Sequence, residues 1–230
     1  MDLATFSSFL SEISSDNIQV IDASIPKNEY VAINLSDSNT DLKTFDISSS
    51  KAWENYISTY LKQHNKKVAY GGYLEKRGIY NRSTYFNNQN TATERNIHLG
   101  LDLWISAGTP VLAAFYGEIH SFKDNTNFGD YGPTIILKHN IENIRFYTLY
   151  GHLNRESLMG LKVGDKVKQG ETIAHLGKPE VNGDYAPHLH FQIIKDLQLS
   201  FGDYPGVSSL KDLEFYKMNC PDPNLVLKQI

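Results

Sequence analysis

The sequence has few of the features that mark disulfide-bonded, membrane-spanning or nucleic-acid-binding proteins. Among its 230 residues there is one cysteine, so no internal disulfide can form, and Cys220 lacks the histidine-rich surroundings of a nucleophile. No run reaches the roughly 18 apolar residues of a membrane span. The formal net charge is -4 and no basic block is present. These absences exclude a general nucleic-acid binder and predict that no membrane span is present.

The N-terminal segment 1–13 also lacks the pattern of a secretory signal. It has neither a positively charged lead nor an uninterrupted apolar stretch. We therefore expect a cytoplasmic protein, or a periplasmic or extracellular one if the sequence is trimmed. The oligomeric state is left open.

What the sequence does contain is a set of histidines and one aspartate in three short segments. These are His98-Leu-Gly-Leu-Asp102, Tyr150-Gly-His152-Leu and Pro187-His188-Leu-His190-Phe. Imidazole and carboxylate are the ligands that catalytic zinc prefers, with three protein ligands and one open position. A single His-x-His is frequently a surface or packed pair. Five ligand-type side chains in three segments together indicate a zinc hydrolase site, with three of them as metal ligands and two histidines left for proton transfer. Other divalent ions could occupy the same ligands.

The spacing of these residues supports a shared pocket. His188 and His190 lie two apart in an apolar, β-branched run, so on a strand both imidazoles face the same side. His98 and Asp102 are four apart, about 13 Å on a straight strand, which is too far to share one ion comfortably. Gly100 between them permits a bend that would bring the two side chains together.

In their order and spacing, the three segments resemble those of the lysostaphin and LytM-type zinc endopeptidases, which cut peptide cross-links in bacterial cell walls. The resemblance covers approximately residues 95–195 and includes Ala107–Val111 and Val163–Ala174. It implies that His98, Asp102 and His190 hold one zinc ion per chain. It also implies that His152 and His188 form the catalytic pair, although the sequence does not say which of the two is the base.

The resemblance further implies the reaction. Zinc-activated water would attack an amide carbonyl of a peptidoglycan peptide, and the two histidines would serve in proton transfer and oxyanion stabilisation. Two alternatives stay open. One is a cytoplasmic zinc amidohydrolase for a small peptide or amino metabolite, and the other is a non-catalytic binding module. The second is disfavoured because all five site residues are present.

The pattern of the chain predicts a mainly β protein. Short β-type runs at 109–116, 134–138, 144–149, 172–176 and 190–194 alternate with turn residues and indicate an antiparallel sandwich or barrel. The resemblance implies the barrel-sandwich hybrid, or duplicated hybrid motif. Ahead of it, helical spacing over 6–13 and 53–61 and apolar runs at 17–22 and 30–35 predict two helices and two strands. We expect an α+β extension over 1–85 and the catalytic domain, with a C-terminal wrap, over 86–230.

Three further residues are weaker candidates for substrate contact. Arg77 and Arg82 lie in a segment dense in tyrosine and glycine, and a guanidinium suits a substrate carboxylate, although a salt bridge or a solvated loop explains either one equally well. Tyr150 precedes His152 by two residues, but packing within a strand is the favoured interpretation. Glu75 raises a further hypothesis, that a side chain of this chain blocks the open metal position. The other histidines, His64, His120, His139 and His175, are expected to be structural or solvated.

Overall fold

The computed structural model describes residues 2–14, 18–83, 86, 90 and 93–229. The α-helices are α1 (Leu3–Ile13), α2 (Ser50–His64), α3 (Leu213–Asn219) and α4 (Asn224–Leu227). The strands are β1 (Tyr30–Ala32), β2 (Val68–Gly71), β3 (Arg95–His98), β4 (Leu101–Trp104), β5 (Pro110–Leu112), β6 (Gly117–Asn125), β7 (Gly132–Ile141), β8 (Ile144–Gly151), β9 (Lys166–Val167), β10 (Thr172–His175), β11 (His188–Ile194) and β12 (Val207–Ser209).

A mixed sheet of eight strands forms the body of the protein, in the order β1-β2-β4-β11-β8-β7-β6-β9. Its neighbouring strands are antiparallel except for β1 and β2, which are parallel. Two small antiparallel sheets, β5 with β10 and β3 with β12, accompany it. The predicted mainly β fold class is confirmed, and each of the five predicted β-type runs of the body overlaps a strand.

The side chains of strand β11 alternate between the hydrophobic core and the opposite face of the sheet. Leu189, Phe191 and Ile193 belong to the main hydrophobic core, together with Leu101 and Leu103 of the adjacent strand β4. Because successive side chains on a strand point to opposite faces, the residues between them face the other way. The strand is buried along its whole length, so that second face is also covered by protein.

The segment before residue 86 covers part of that second face. Helix α2 buries Trp53 and Ile57, and Trp53 stacks on Trp104 at a ring-centroid distance of 6.5 Å. The helix begins at an N-cap, Ser49, whose hydroxyl accepts from the amide of Ala52, and it ends at Asn65 in a left-handed conformation. The helix predicted from the spacing over 53–61 is therefore present, and it packs Trp53 against strand β4.

The N-terminal predictions are otherwise met in part. Helix α1 contains the predicted helix at 6–13, and the strand predicted at 30–35 is shorter, as β1. The strand predicted at 17–22 is wrong over its described part, because Ile21 makes only an isolated bridge to Val111, and Asn17 lies outside the described residues. Ile18, Val20 and Ile21 are buried in the main core, which accounts for the apolar character of that run.

Strand β2 pairs with β4, and strand β1 continues the same sheet beyond it. The boundary at residues 85 and 86 stays a prediction, because the extension and the body share this sheet. At the C-terminus, α4 contacts α1 and buries Val226 and Leu227 in the main core. Among the described residues, no helix combines the length and the apolar character needed to cross a bilayer.

Candidate metal centre and catalytic site

Three ligand-type side chains meet where strands β3, β4 and β11 come together. Antiparallel pairing sets Asp102 directly opposite His190, so both side chains lie on one face. His98 reaches the same point from the end of β3, because the chain turns at Leu99 and Gly100. A Cβ on Gly100 would lie 2.5 Å from Cε1 of His190, so only glycine fits at the predicted bend.

The three ligand atoms converge closely. His98 Nε2 lies 2.8 Å from His190 Nδ1, and each lies 3.2 Å from Oδ1 of Asp102. The side chains are 1% to 3% exposed, so water does not separate them. Among the described residues, this is the only group of histidine, cysteine and acidic side chains with metal-binding geometry.

Hydrogen bonds on the far side of each ring determine what the imidazoles present to one another. His98 Nδ1 lies 2.9 Å from the carbonyl oxygen of Gly72 and must donate to it. His190 Nε2 lies 2.9 Å from Oε1 of Gln192, whose amide nitrogen donates to the Pro205 carbonyl. These far-side hydrogen bonds leave His98 Nε2 and His190 Nδ1 facing each other and Oδ1 of Asp102. Two ring nitrogens and a carboxylate oxygen that converge in this way fit a zinc site with ordered outer hydrogen bonds.

A second pair of histidines lies beside this group. The rings of His152 and His188 are 4.3 Å apart between centroids. His152 Nδ1 donates to the carbonyl of Asn182 and His188 Nδ1 donates to that of Ala186, both at 2.7 Å. Each neutral ring therefore keeps a lone pair on Nε2, and His188 Nε2 lies 3.9 Å from Oδ1 of Asp102.

The backbone of His152 is in the left-handed region, with φ of 65°. Its amide donates to the Tyr131 carbonyl at 3.0 Å, and its own carbonyl accepts from Gly177 at 2.9 Å. A non-glycine residue in this conformation costs roughly 1–2 kcal/mol, which these two hydrogen bonds help to offset. The strained turn brings the imidazole over the site directly after strand β8.

Burial dominates the electrostatics of the histidines. It lowers the pKa of His188 to about 4, and burial together with the nearby Arg77 lowers the pKa of His98 to about 4. Burial and the neighbouring His188 hold the pKa of His152 well below its ordinary value. Burial alone would raise the pKa of Asp102, but His98 and Arg77 hold it well below its usual range. At neutral pH, therefore, these three imidazoles are neutral and the carboxylate is charged.

The five side chains form the floor of one cavity, with an empty volume of about 730 Å³ including the part open to solvent. Its walls are largely aromatic, with Trp53, Tyr80, Phe86, Trp104, Tyr131, Tyr185 and Tyr204 among the lining residues. The indole of Trp104 stacks on His188 at 4.0 Å between centroids. Residues 203–207 also line the cavity, so segments far apart in the chain enclose it.

Comparison with known proteins identifies the family to which the segment with the five site residues is similar. Residues 96–200 match peptidase family M23, and all five site residues lie within that match. The chain carries a peptidase family M23 domain. The M23 match does not include all the residues that line the cavity. Trp53 and Tyr80 precede the matched segment, and Tyr204 follows it.

Relatives of the chain include two endopeptidases. It is 31% identical over 131 residues to an L-Ala--D-Glu endopeptidase of Bacillus subtilis (strain 168), covering 54% of this chain and 38% of that protein. It is 34% identical over 141 residues to the glycyl-glycine endopeptidase ALE-1 of Staphylococcus capitis, covering 61% of this chain and 32% of that protein. The chain thus spans about a third of the length of these relatives.

Among solved structures, the catalytic domain of lysostaphin from Staphylococcus simulans is 29% identical. The similarity covers 53% of this chain and 80% of that one, with a TM-score of 0.37.

The weaker sequence candidates lie in three different places. Tyr150 is fully buried in the main core on the far side of β8, where its hydroxyl accepts from the amide of Ala114, so it is not placed for substrate contact. Arg82 packs over the ring of Tyr185 and pairs with Asp184 at 3.2 Å, as the salt-bridge alternative describes. Arg77 lines the cavity, but its guanidinium is paired with Asp102 of the M23 domain.

Glu75 does not occupy the metal position. Its two carboxylate oxygens accept from the amide of Leu35 at 2.7 Å and from Nε of Arg77 at 2.7 Å. Both contacts lie outside the M23 domain's ligand group, which contains no fourth ligand from the described part of the chain. The blocking hypothesis for Glu75 is therefore wrong.

Several residues that support the M23 site were missed in the sequence. Gln192 continues the alternation of His188 and His190 along β11, so its position two residues further on could have identified it. The carbonyl acceptors of Gly72 and Asn182 carry no side-chain signal. Tyr131, whose hydroxyl lies 3.4 Å from His190 Nε2, follows the buried Asp130 in a loop with no pattern of its own.

Proposed function

We propose that this protein is a zinc-dependent endopeptidase that hydrolyses amide bonds of peptidoglycan peptides. The observation that carries the proposal is the convergence of His98 Nε2, Asp102 Oδ1 and His190 Nδ1 on one point, beside the imidazoles of His152 and His188. The M23 domain and the endopeptidase relatives support the same reaction class. Their names suggest peptide bonds of the cell wall as the substrate.

His98 Nε2, His190 Nδ1 and Oδ1 of Asp102 would hold one zinc ion. Zinc bound there would act as a Lewis acid toward the scissile carbonyl and make a water molecule more acidic. The chain's own contribution begins with orientation, since every ligand ring is fixed by a hydrogen bond to a carbonyl or amide oxygen. The metal ligands therefore need little rearrangement on binding.

His152 and His188 are assigned to proton transfer. Both rings are neutral and present an Nε2 lone pair, so either can accept a proton from water and later donate it to the leaving amine. Stacking on Trp104 and the bond to Ala186 hold the His188 ring in one orientation. The largely aromatic walls limit access of bulk water to these groups.

The test is hydrolysis of purified peptidoglycan by the zinc-loaded protein, with released products identified by mass spectrometry. We expect new peptide ends at one defined amide bond, and no products after chelation. The matched control is His152→Ala, which leaves the three metal ligands unchanged. If zinc-loaded wild-type protein releases no peptide, the peptidoglycan assignment is wrong.

A second candidate is a zinc amidohydrolase for a small peptide or amino metabolite. It is favoured by one observation, that residues on both sides of the M23 match in sequence, Leu35, Trp53 and Tyr80 before it and residues 203–207 after it, also line the cavity. All five floor residues are at most 5% exposed. A panel of free di- and tripeptides distinguishes the two candidates, because this one predicts faster cleavage of short peptides than of intact peptidoglycan.

The cytoplasmic location expected from the sequence fits this second candidate better than the first. It stays a prediction, and cell fractionation with an antibody against the protein tests it.

A further inference from the structure

The segment between strands β2 and β3 packs against His98 and Asp102, two of the proposed metal ligands. The Gly72 carbonyl accepts from His98 Nδ1, and the backbone of Glu75 and Arg77 bonds to His98 and Asn96. Residues 72–77 therefore run alongside β3 and bring Arg77 to the ligand group, with Glu75 bonded to Arg77 behind it. These residues lie outside the M23 match.

Arg77 contacts the metal ligand directly. Its Nη1 donates to Oδ2 of Asp102 at 2.5 Å, while Oδ1 of the same carboxylate faces His98 and His190. The guanidinium is 5% exposed and is itself oriented by Glu75, which accepts from its Nε and from the amide of Leu35. A chain of buried and part-buried contacts thus runs from the backbone of Leu35 to one oxygen of Asp102.

The close fit of this arrangement depends on Gly72. Its φ is +109°, and a Cβ there would overlap Nη2 of Arg77 and lie 2.9 Å from Nδ1 of His98. The guanidinium and the imidazole therefore pack against the same backbone position. This packing holds the guanidinium in place against Asp102.

We infer that Arg77 is a positioning residue that reserves Oδ1 of Asp102 for the metal by holding Oδ2. The inference rests on the zinc site proposed above. A carboxylate can bind a metal through one oxygen or two, and a donor fixed on Oδ2 selects the one-oxygen mode. Glu75 pairs with Nε of Arg77 and so offsets part of the positive charge of the guanidinium close to the site.

The test compares Arg77→Met with Arg82→Met. Arg82 is equally buried and ion-paired, but its partner, Asp184, is not a metal ligand. Zinc affinity is measured by competition with a chelating dye, and the visible spectrum of the cobalt-loaded protein reports the ligand number. For Arg77→Met we expect affinity to fall about 10- to 100-fold with an altered cobalt spectrum, as is usual when an outer partner of a ligand is lost. Arg82→Met should leave both readouts unchanged.

Other outcomes have distinct meanings. A folded Arg77→Met protein with wild-type affinity and spectrum overturns the inference. Higher affinity with an unchanged spectrum also overturns it, because Arg77 would then act only as a nearby charge. If wild-type protein binds no zinc, the proposed function fails instead.

A measurement on the wild-type protein removes any dependence on the folding of a variant. In the zinc-loaded crystal structure, we expect one oxygen of Asp102 on the metal and the other on Arg77. Two metal-bound oxygens from Asp102 would contradict the inference. Arg77→Lys should recover part of the affinity, because its single ammonium can donate to Asp102 but cannot also bridge to Glu75 in a fixed plane.

Discussion

The site has two halves whose side chains are oriented by different parts of the chain. The first half consists of His98 and Asp102, and the second half consists of His152, His188 and His190. His152, His188 and His190 donate to Asn182, Ala186 and Gln192, all within the M23 match. His98 and Asp102 instead bond to Gly72 and Arg77, which precede it. The ligand types thus belong to the domain, but the geometry of the first half depends on the extension. An isolated M23 segment would keep every ligand and lose part of their orientation.

The largest effect on zinc affinity should come from removing a proposed metal ligand, rather than a residue that hydrogen-bonds to a ligand. His98→Ala removes one of three metal ligands, so zinc affinity should fall by more than the roughly 100-fold expected for loss of an outer partner. His152→Ala should retain zinc and lower hydrolysis by about 10²- to 10⁴-fold, the usual contribution of a general acid or base. Dye competition and product mass spectrometry check the two results. Full activity of metal-free His98→Ala would contradict the mechanism.

The next largest effect is expected from a substitution that tests whether the orientation of the first half depends on the N-terminal extension. Gly72→Ala introduces a Cβ against Arg77 and His98 at a positive φ, so both stability and zinc affinity should fall. The strained backbone alone costs about 1–3 kcal/mol. Gly164→Ala is the matched control, because Gly164 also has a positive φ, +93°, but has nothing within 4 Å of the added Cβ.

Thermal unfolding and dye competition separate the two contributions. Gly164→Ala should lose stability without losing zinc affinity, whereas Gly72→Ala should lose both. Equal zinc affinity in the two variants would show that the first half does not need the close packing at Gly72.

A smaller effect is expected when support is removed from the second half. Gln192→Leu takes away the acceptor of His190 Nε2, so the ring is free to turn and zinc affinity should fall about 10-fold or more. Asn125→Leu is the control, because Asn125 is another buried amide that bonds within the sheet, to Thr134 and Gly202, away from the metal ligands. It should lower stability and leave zinc affinity unchanged. A similar loss of affinity in both variants would assign the effect to general loosening of the core.

The same division explains what could be predicted from sequence. Alternation along a strand correctly brought His188 and His190 to one face, and the glycine between His98 and Asp102 marked the bend. Both signals are local. The roles of Gly72 and Arg77 depend on a loop that pairs with β3 about 20 residues later, and no local pattern encodes that pairing. Arg77 was therefore recognised only as a weak candidate for substrate contact, with a salt bridge as an equal alternative, and Asp102 was not identified as its partner.

The smallest expected effect on the site comes from His139, which is buried outside it. Its Nδ1 donates to the Tyr116 carbonyl, and its ring meets the Thr148 hydroxyl and the rings of Phe115 and Phe146, none of which is charged. Burial lowers its pKa from 6.5 to about 4. The unfolded chain therefore binds a proton below about pH 6.5 that the folded protein does not bind until about pH 4.

The sign of this linkage gives a prediction. Because the unfolded state binds more protons in this window, the free energy of unfolding should fall as pH drops from about 6.5 to about 4, by about 3 kcal/mol for this residue. In His139→Gln that contribution disappears, so the pH dependence measured by urea unfolding should be shallower than in wild type, with zinc affinity at pH 7 unchanged. Equal slopes would mean that His139 is protonated in the fold, whereas reduced zinc affinity would mean that orientation of the site also depends on the core beneath strand β8.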